Sequence, residues 1–259
     1  MCDNTLILEK LLIGYTHNKQ LQPVMGVIDA ALHKGEMVAL IGRNGAGKST
    51  LMRTLAAFQE PLSGKITYPD GKSDRRRAAD LAKQLAVVLT GNSGIYSLTV
   101  REVVAMGRVP YTGLLGNERK RDKEAVDAAM QAVDIVHLSE RKIETLSDGE
   151  RQKAMIAKAL AQETPVIMLD EPTAFLDFGS RVQLFKLLKH LAHEKGKSIL
   201  VSTHDLELVL QLTDRLWLIH DKKMHTGTVA TLTDDGVLSS FIEAEGIYYN
   251  RKDKRIEIR

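Results

Sequence analysis

Short apolar runs alternate along this chain with segments whose apolar residues return every three or four positions. Residues 37–41, 85–89, 166–169 and 199–202 are runs of the first kind, short enough for strands and apolar enough to be buried. Residues 5–11, 22–32 and 65–68 read as further strands, and 216–220 with 224–229 as a closing hairpin around Asp221-Lys222-Lys223. The stretch 247–259 reads as one or two short edge strands. Helical spacing predicts helices over 48–57, 100–106, 120–133, 149–161, 180–194 and about 205–212. Val126, Ala129, Met130 and Val133 form the apolar stripe of one, and Leu184, Phe185, Leu188 and Leu191 that of another. Strands alternating with helices imply an α/β fold with a largely parallel sheet. The helix-rich stretch of about 91–162 reads as a subdomain inserted into a core of 1–90 and 163–259.

Length and composition narrow the class without naming a chemistry. At roughly 100–200 residues per domain, 259 residues make one large domain, or a domain with a subdomain. The hydrophobic share of 44% and charged share of 27% are those of an ordinary globular protein. The net charge of +3 is small, and the densest basic run, Arg75-Arg76-Arg77, is flanked by Asp74 and Asp80. That run reads as a solvated helix face, and no nucleic-acid partner is expected. Cys2 is the sole cysteine, so no intrachain disulfide forms, which fits a reducing compartment. No secretory signal pattern is visible, and no apolar run reaches the roughly 18 residues that cross a bilayer. Work at a membrane would therefore need another protein as anchor.

Two stretches carry phosphate chemistry. Gly42-Arg43-Asn44-Gly45-Ala46-Gly47-Lys48-Ser49 fits G-x-x-x-x-G-K-[ST], behind an expected strand and ahead of an expected helix. Glycines there let backbone N–H groups encircle phosphates, and the helix adds its positive dipole end. Lys48 is placed for the β and γ phosphates, and Ser49 for magnesium. Val166-Ile167-Met168-Leu169-Asp170-Glu171 is an apolar strand ending in two acids. Asp170 at its tip suits a magnesium ligand, and Glu171, one residue on, suits a general base for the attacking water.

Leu146-Ser147-Asp148-Gly149-Glu150, ahead of the helix 151–161, resembles the signature of ABC ATPases, usually Leu-Ser-Gly-Gly-Gln. The rest of that family's set is present in order. Tyr15 matches the aromatic that stacks on adenine, Ala174-Phe175-Leu176-Asp177 the loop after the acidic pair, and His204 the switch histidine. The resemblance spans about 5–229 and implies a P-loop NTPase of the ABC type, a single domain over 1–259. Its mainly parallel core sheet carries an N-terminal antiparallel β subdomain and an inserted α-helical subdomain. It further implies ATP and Mg2+ as ligands, with residues 42–50 (through Thr50) gripping the nucleotide. A second copy then completes each site head to tail. Ser147 and Gly149 reach the partner's nucleotide, flanked by Asp148 and Glu150, while His204 bonds the γ-phosphate and Asp177 links the two sites.

Three departures are visible. Asp148 replaces glycine and Glu150 replaces glutamine; Coulomb repulsion predicts that the Asp148 carboxylate points away from phosphate. Thr90 stands where the family carries a glutamine that touches magnesium or the water, and its shorter side chain acts only through water or after loop movement. The segment 98–111, with Leu98-Thr99-Val100, Gly107-Arg108 and Pro110-Tyr111, resembles importers of iron–siderophore, haem and cobalamin. That class places the ATPase at the cytoplasmic face of the inner or plasma membrane, bound peripherally to polytopic permease subunits. Their contact would fall at about 91–116, and an extracytoplasmic binding protein would act beyond them. An exporter ATPase and a soluble non-transport ABC protein are the alternatives. His190 and His193, three apart, read as surface histidines, and Trp217 as packing.

Overall fold

The computed structural model describes residues 4–18, 20–73, 78–89, 97–112, 119–174, 176–243, 247–253 and 255–258. The arginine run 75–77, Thr90, Phe175 and, within the expected permease contact, 91–96 and 113–116 lie outside them.

The chain opens with β1 (Asn4–Leu12), β2 (Gly14–His17), β3 (Gln20–Pro23), β4 (Ile28–His33) and β5 (Met37–Gly42). Next come α1 (Lys48–Leu55), β6 (Ser63–Thr67), α2 (Ala78–Leu81) and β7 (Leu85–Val88). A helical stretch follows: α3 (Val100–Ala105), a tight turn over Met106–Arg108, α4 (Val109–Thr112), α5 (Lys120–Ala132) and α6 (Asp148–Ala161). Then β8 (Val166–Asp170), α7 (Phe178–His193), β9 (Ser198–Ser202), α8 (Leu206–Leu212), β10 (Arg215–His220) and β11 (Lys223–Gly227) complete the main sheet. The chain ends in α9 (Val229–Asp234), α10 (Val237–Ile242), β12 (Ile247–Asn250) and β13 (Arg255–Ile258).

The main sheet runs β11-β10-β5-β9-β8-β7, parallel except for β11 at one edge. A separate antiparallel sheet, β4-β1-β6, covers one of its faces. The pleat explains why the central strands look like unbroken apolar runs. Met37, Ala39, Ile41, Ile167, Leu169, Ile199 and Val201 pack on one side with α3, α5, α6 and α7. Val38, Leu40, Val166, Met168, Leu200 and Trp217 pack on the other with α1 and the antiparallel sheet. With both faces covered, alternate residues have no reason to be polar.

Three expectations need correction. The strand expected over 22–32 is two strands, because Pro23 ends β3 and the chain bends before β4. Val24 donates its N–H to Ile13 O at 3.0 Å, and Gly26 donates to Lys222 O at 2.7 Å. The hairpin strand expected to reach 229 stops at Gly227, where Thr228 caps α9 by accepting the Thr231 N–H at 3.1 Å. The terminal strands do not extend the main sheet; β12 and β13 pair with each other.

Candidate active site

Strands β5, β9 and β8 are adjacent and parallel, so the loops leaving their C-terminal ends lie side by side. The loop after β5 turns on Gly45 and Gly47, whose φ angles of 76° and 109° favour glycine. A Cβ on Gly47 would lie 2.6 Å from Val24 Cγ1, so the loop rests directly on the bend that interrupts β3 and β4. Arg43, Asn44, Gly45 and Ser49 are exposed, and half-buried Ala46 donates its N–H to Arg43 O at 3.1 Å. No side chain caps the N-terminus of α1 and no acid stands in its first turn. Its N–H groups and dipole are thus available to an anion. Lys48 is buried, its ammonium donating to Gly42 O at 2.7 Å and Arg43 O at 3.4 Å. Burial lowers the Lys48 pKa, while the charges of Glu171 and Asp170 oppose that shift. Tyr15 is half-exposed on the β2–β3 hairpin, with its hydroxyl 3.0 Å from Thr50 Oγ1.

At the end of β8, Asp170 pairs in register with Ser202 of β9. The buried Ser202 hydroxyl donates to Asp170 Oδ1 at 2.5 Å and accepts the Glu171 N–H at 3.0 Å. Glu171 has a φ of 45°, a left-handed backbone uncommon for a residue with a side chain. Its Oε1 lies 2.6 Å from His204 Nε2, which comes from the loop after β9. Beyond Glu171, Asp177 caps α7 by accepting the Ser180 N–H at 2.9 Å and the Ser180 hydroxyl at 2.7 Å. Those bonds, the backbone one first, hold the Asp177 carboxyl below its ordinary value.

Ser147 is the N-cap of α6 in a reciprocal capping box. The Glu150 N–H donates to Ser147 Oγ at 3.3 Å, while Ser147 N–H and hydroxyl both donate to Glu150 Oε2 at 2.8 Å. Asp148 is paired with Arg151. Gly149 is half-buried, and a Cβ there would sit 3.9 Å from Leu176 Cδ2 and Ser180 Oγ. Among the described residues, no hydrogen bond or ion pair joins 147–150 to the phosphate loop of the same chain.

Residues 26–174 match the ABC transporter family model. The chain belongs to the ABC transporter family. It is 43% identical over 216 residues to an uncharacterised ABC transporter ATP-binding protein of Methanocaldococcus jannaschii, covering 83% of this chain and 73% of the other. It is 37% identical over 217 residues to the ferric enterobactin transport ATP-binding protein of Escherichia coli, covering 83% and 78%. A solved metal-chelate type ABC transporter in an inward-facing conformation superposes with a TM-score of 0.77 at 26% identity, covering 92% and 88%.

As an ABC cassette the chain binds ATP. Of the set expected from sequence, 42–50, Asp170, Glu171 and His204 meet at adjacent strand ends, while Tyr15 lies on the β2–β3 hairpin, 147–150 at the start of α6 and Asp177 at the start of α7. For magnesium, the cassette offers oxygen donors in Ser49 and Asp170, and among the described residues no group of three or more His, Cys, Asp or Glu side chains forms a cage. That suits an ion held by one or two side chains plus nucleotide phosphates. Sequence reasoning missed Ser202, hidden at the end of an apolar strand, although its position opposite Asp170 follows once the register is known. It also missed Arg181, which donates to Leu176 O at 2.8 Å and to Asp205 Oδ2 at 3.3 Å, tying the loop after the acids to the His204 loop.

Proposed function

We propose that this cassette hydrolyses ATP to power an importer of the metal-chelate class. The observation that carries the reading is the meeting of the phosphate loop, Asp170, Glu171 and His204 at the ends of β5, β8 and β9. Backbone N–H groups of 43–49 and the Lys48 ammonium bind the phosphates. Tyr15 stacks on the adenine. Glu171, held by His204, takes the proton of the attacking water. Ser49 and Asp170 hold magnesium, which offsets phosphate charge when bound. Thr90 takes part through water or after loop movement.

Each site is completed by a second copy, whose Ser147 and Gly149 present the N-terminus of α6 to the γ-phosphate. Asp148 pairs with Arg151 and Glu150 with Ser147, which supports carboxylates turned away from the partner's phosphate. Asp177 faces the junction between the copies. Residues of about 91–162 act as the helical subdomain, and permease subunits dock at about 91–116. No helix among the described residues is long and apolar enough to cross a membrane. Attachment to the cytoplasmic face runs, in this proposal, through the permease. The ferric enterobactin relative and the metal-chelate neighbour support a chelated-metal cargo.

The purified Glu171→Gln variant tests the chemistry: hydrolysis should fall by about 100-fold or more with ATP binding intact. Retained hydrolysis would remove Glu171 from the role of base. Loss of ferric-siderophore uptake on deleting the gene tests the cargo class.

A further inference from the structure

The turn Met106–Arg108 sits on α6, at the opposite end from Ser147. A Cβ on Gly107 would lie 2.2 Å from Lys158 O, so only glycine lets the two backbones approach this closely. The next side chain, Arg108, is 4% exposed. It donates from Nε to Asp122 Oδ1 at 2.9 Å, and from Nη1 to Ala161 O at 2.7 Å and Glu163 Oε2 at 2.8 Å. Its guanidinium lies 4.2 Å from the centre of the Tyr111 ring, and the Tyr111 hydroxyl donates to Gln162 O at 2.9 Å. Three consecutive contacts along one segment thus fall on the last turn of α6. Gln162 in turn donates to Leu85 O at 3.1 Å, at the start of β7, the strand that leads to Thr90.

The cluster is electrically specific. Arg108 is bonded to two carboxylates, and Arg121 stands 3.5 Å from Glu163. Asp122 also caps α5 by accepting the Arg119 N–H at 3.0 Å. Buried ion pairs add little net stability over well-packed apolar groups, whereas their fixed geometry selects one arrangement. Met106, Val109 and Tyr111 meanwhile each leave 39% of their surface exposed, on the described part of the proposed permease contact. One segment is therefore open to a partner on one side and riveted to α6 on the other.

We propose that Gly107, Arg108 and Tyr111 form a rigid joint through which the segment 106–112 and α6 move together, with Arg108 as the positioning residue. The proposal rests on the ATPase reading above. Displacement of the permease-facing segment is carried along α6, about 21 Å at 1.5 Å per residue, to the Ser147 end that meets the partner's nucleotide. The reverse transfer, from nucleotide to permease, uses the same contacts. Gln162 extends the same contact to the start of β7.

The test is hydrogen exchange on the purified full chain carrying Glu171→Gln, titrated with ATP and Mg2+. Peptides covering 42–50, 97–112 and 147–161 are followed. In the parent, ATP should change exchange in all three with the same midpoint. In Arg108→Met with Asp122→Asn, which leaves no charge unpaired between those two positions, the 97–112 response should shrink at least about threefold. The 147–161 response and the ATP midpoint should stay within about twofold of the parent. Arg108→Lys, which keeps the charge but loses the planar fork, should fall between. Tyr111→Phe, at a partly exposed position, should weaken the 97–112 response in the same direction. A full 97–112 response in the double variant would overturn the joint, and so would a parent whose 147–161 responds while 97–112 does not. A chain with no ATP response at 42–50 would instead remove the nucleotide reading, and the joint with it.

Discussion

Glu150 replaces the family's usual glutamine, and the structure gives its carboxylate a local task. It accepts the Ser147 N–H and hydroxyl, and these bonds, the backbone one first, hold its pKa below the ordinary value of 4.5. A carboxylate with a depressed folded-state pKa contributes stability above its ordinary value and loses it as pH falls through the folded one. Glutamine can cap the same N–H without titrating. The parent should therefore melt higher than Glu150→Gln near neutral pH, and the gap should close as pH falls below 4.5. Melting curves of both proteins across that range check this. A gap independent of pH would mean that the capping contact does not involve the charged form.

At the scale of elements, the phosphate loop depends on the strand break beneath it. Gly47 has a φ of 109° and no room for a Cβ beside Val24. Gly47→Ala should weaken ATP binding by about tenfold or more, since a strained backbone of this kind costs roughly 1–3 kcal/mol. Calorimetric titration with ATP measures it, and an unchanged affinity would show that the loop can shift off the 24–25 bend. The loop itself was legible from sequence because its glycines and Lys48 are consecutive. The bend was not, since contacts with residues distant in sequence, Ile13, Gly47 and Lys222, hold residues 24–26. The main-sheet strands were legible because burial on both faces leaves an apolar run. Helices α9 and α10, six residues each, were not read from the sequence. The Arg108–Asp122–Glu163 cluster joins residues 14 and 55 positions apart, a spacing that no local pattern encodes.

For the whole molecule, the separation of 147–150 from the phosphate loop makes a prediction about kinetics. If each site needs the α6 end of another copy, activity per subunit falls on dilution below the dimer dissociation constant. In that range a tenfold dilution should lower the rate per subunit by up to about tenfold. Steady-state ATPase assays over a dilution series decide this. A rate per subunit constant down to the dilute monomer would mean that one chain hydrolyses ATP alone.

The left-handed backbone of Glu171 links chemistry to heat resistance. Such a conformation is unfavourable for any residue with a Cβ, so the position where hydrolysis is proposed to occur is a strained one. Two inactive proteins should then differ in robustness. Glu171→Gly, free to adopt that backbone, should be more stable than Glu171→Gln by about 0.5–1 kcal/mol, raising the melting point by a few degrees. At this position, then, relief of backbone strain would come with loss of the proposed base.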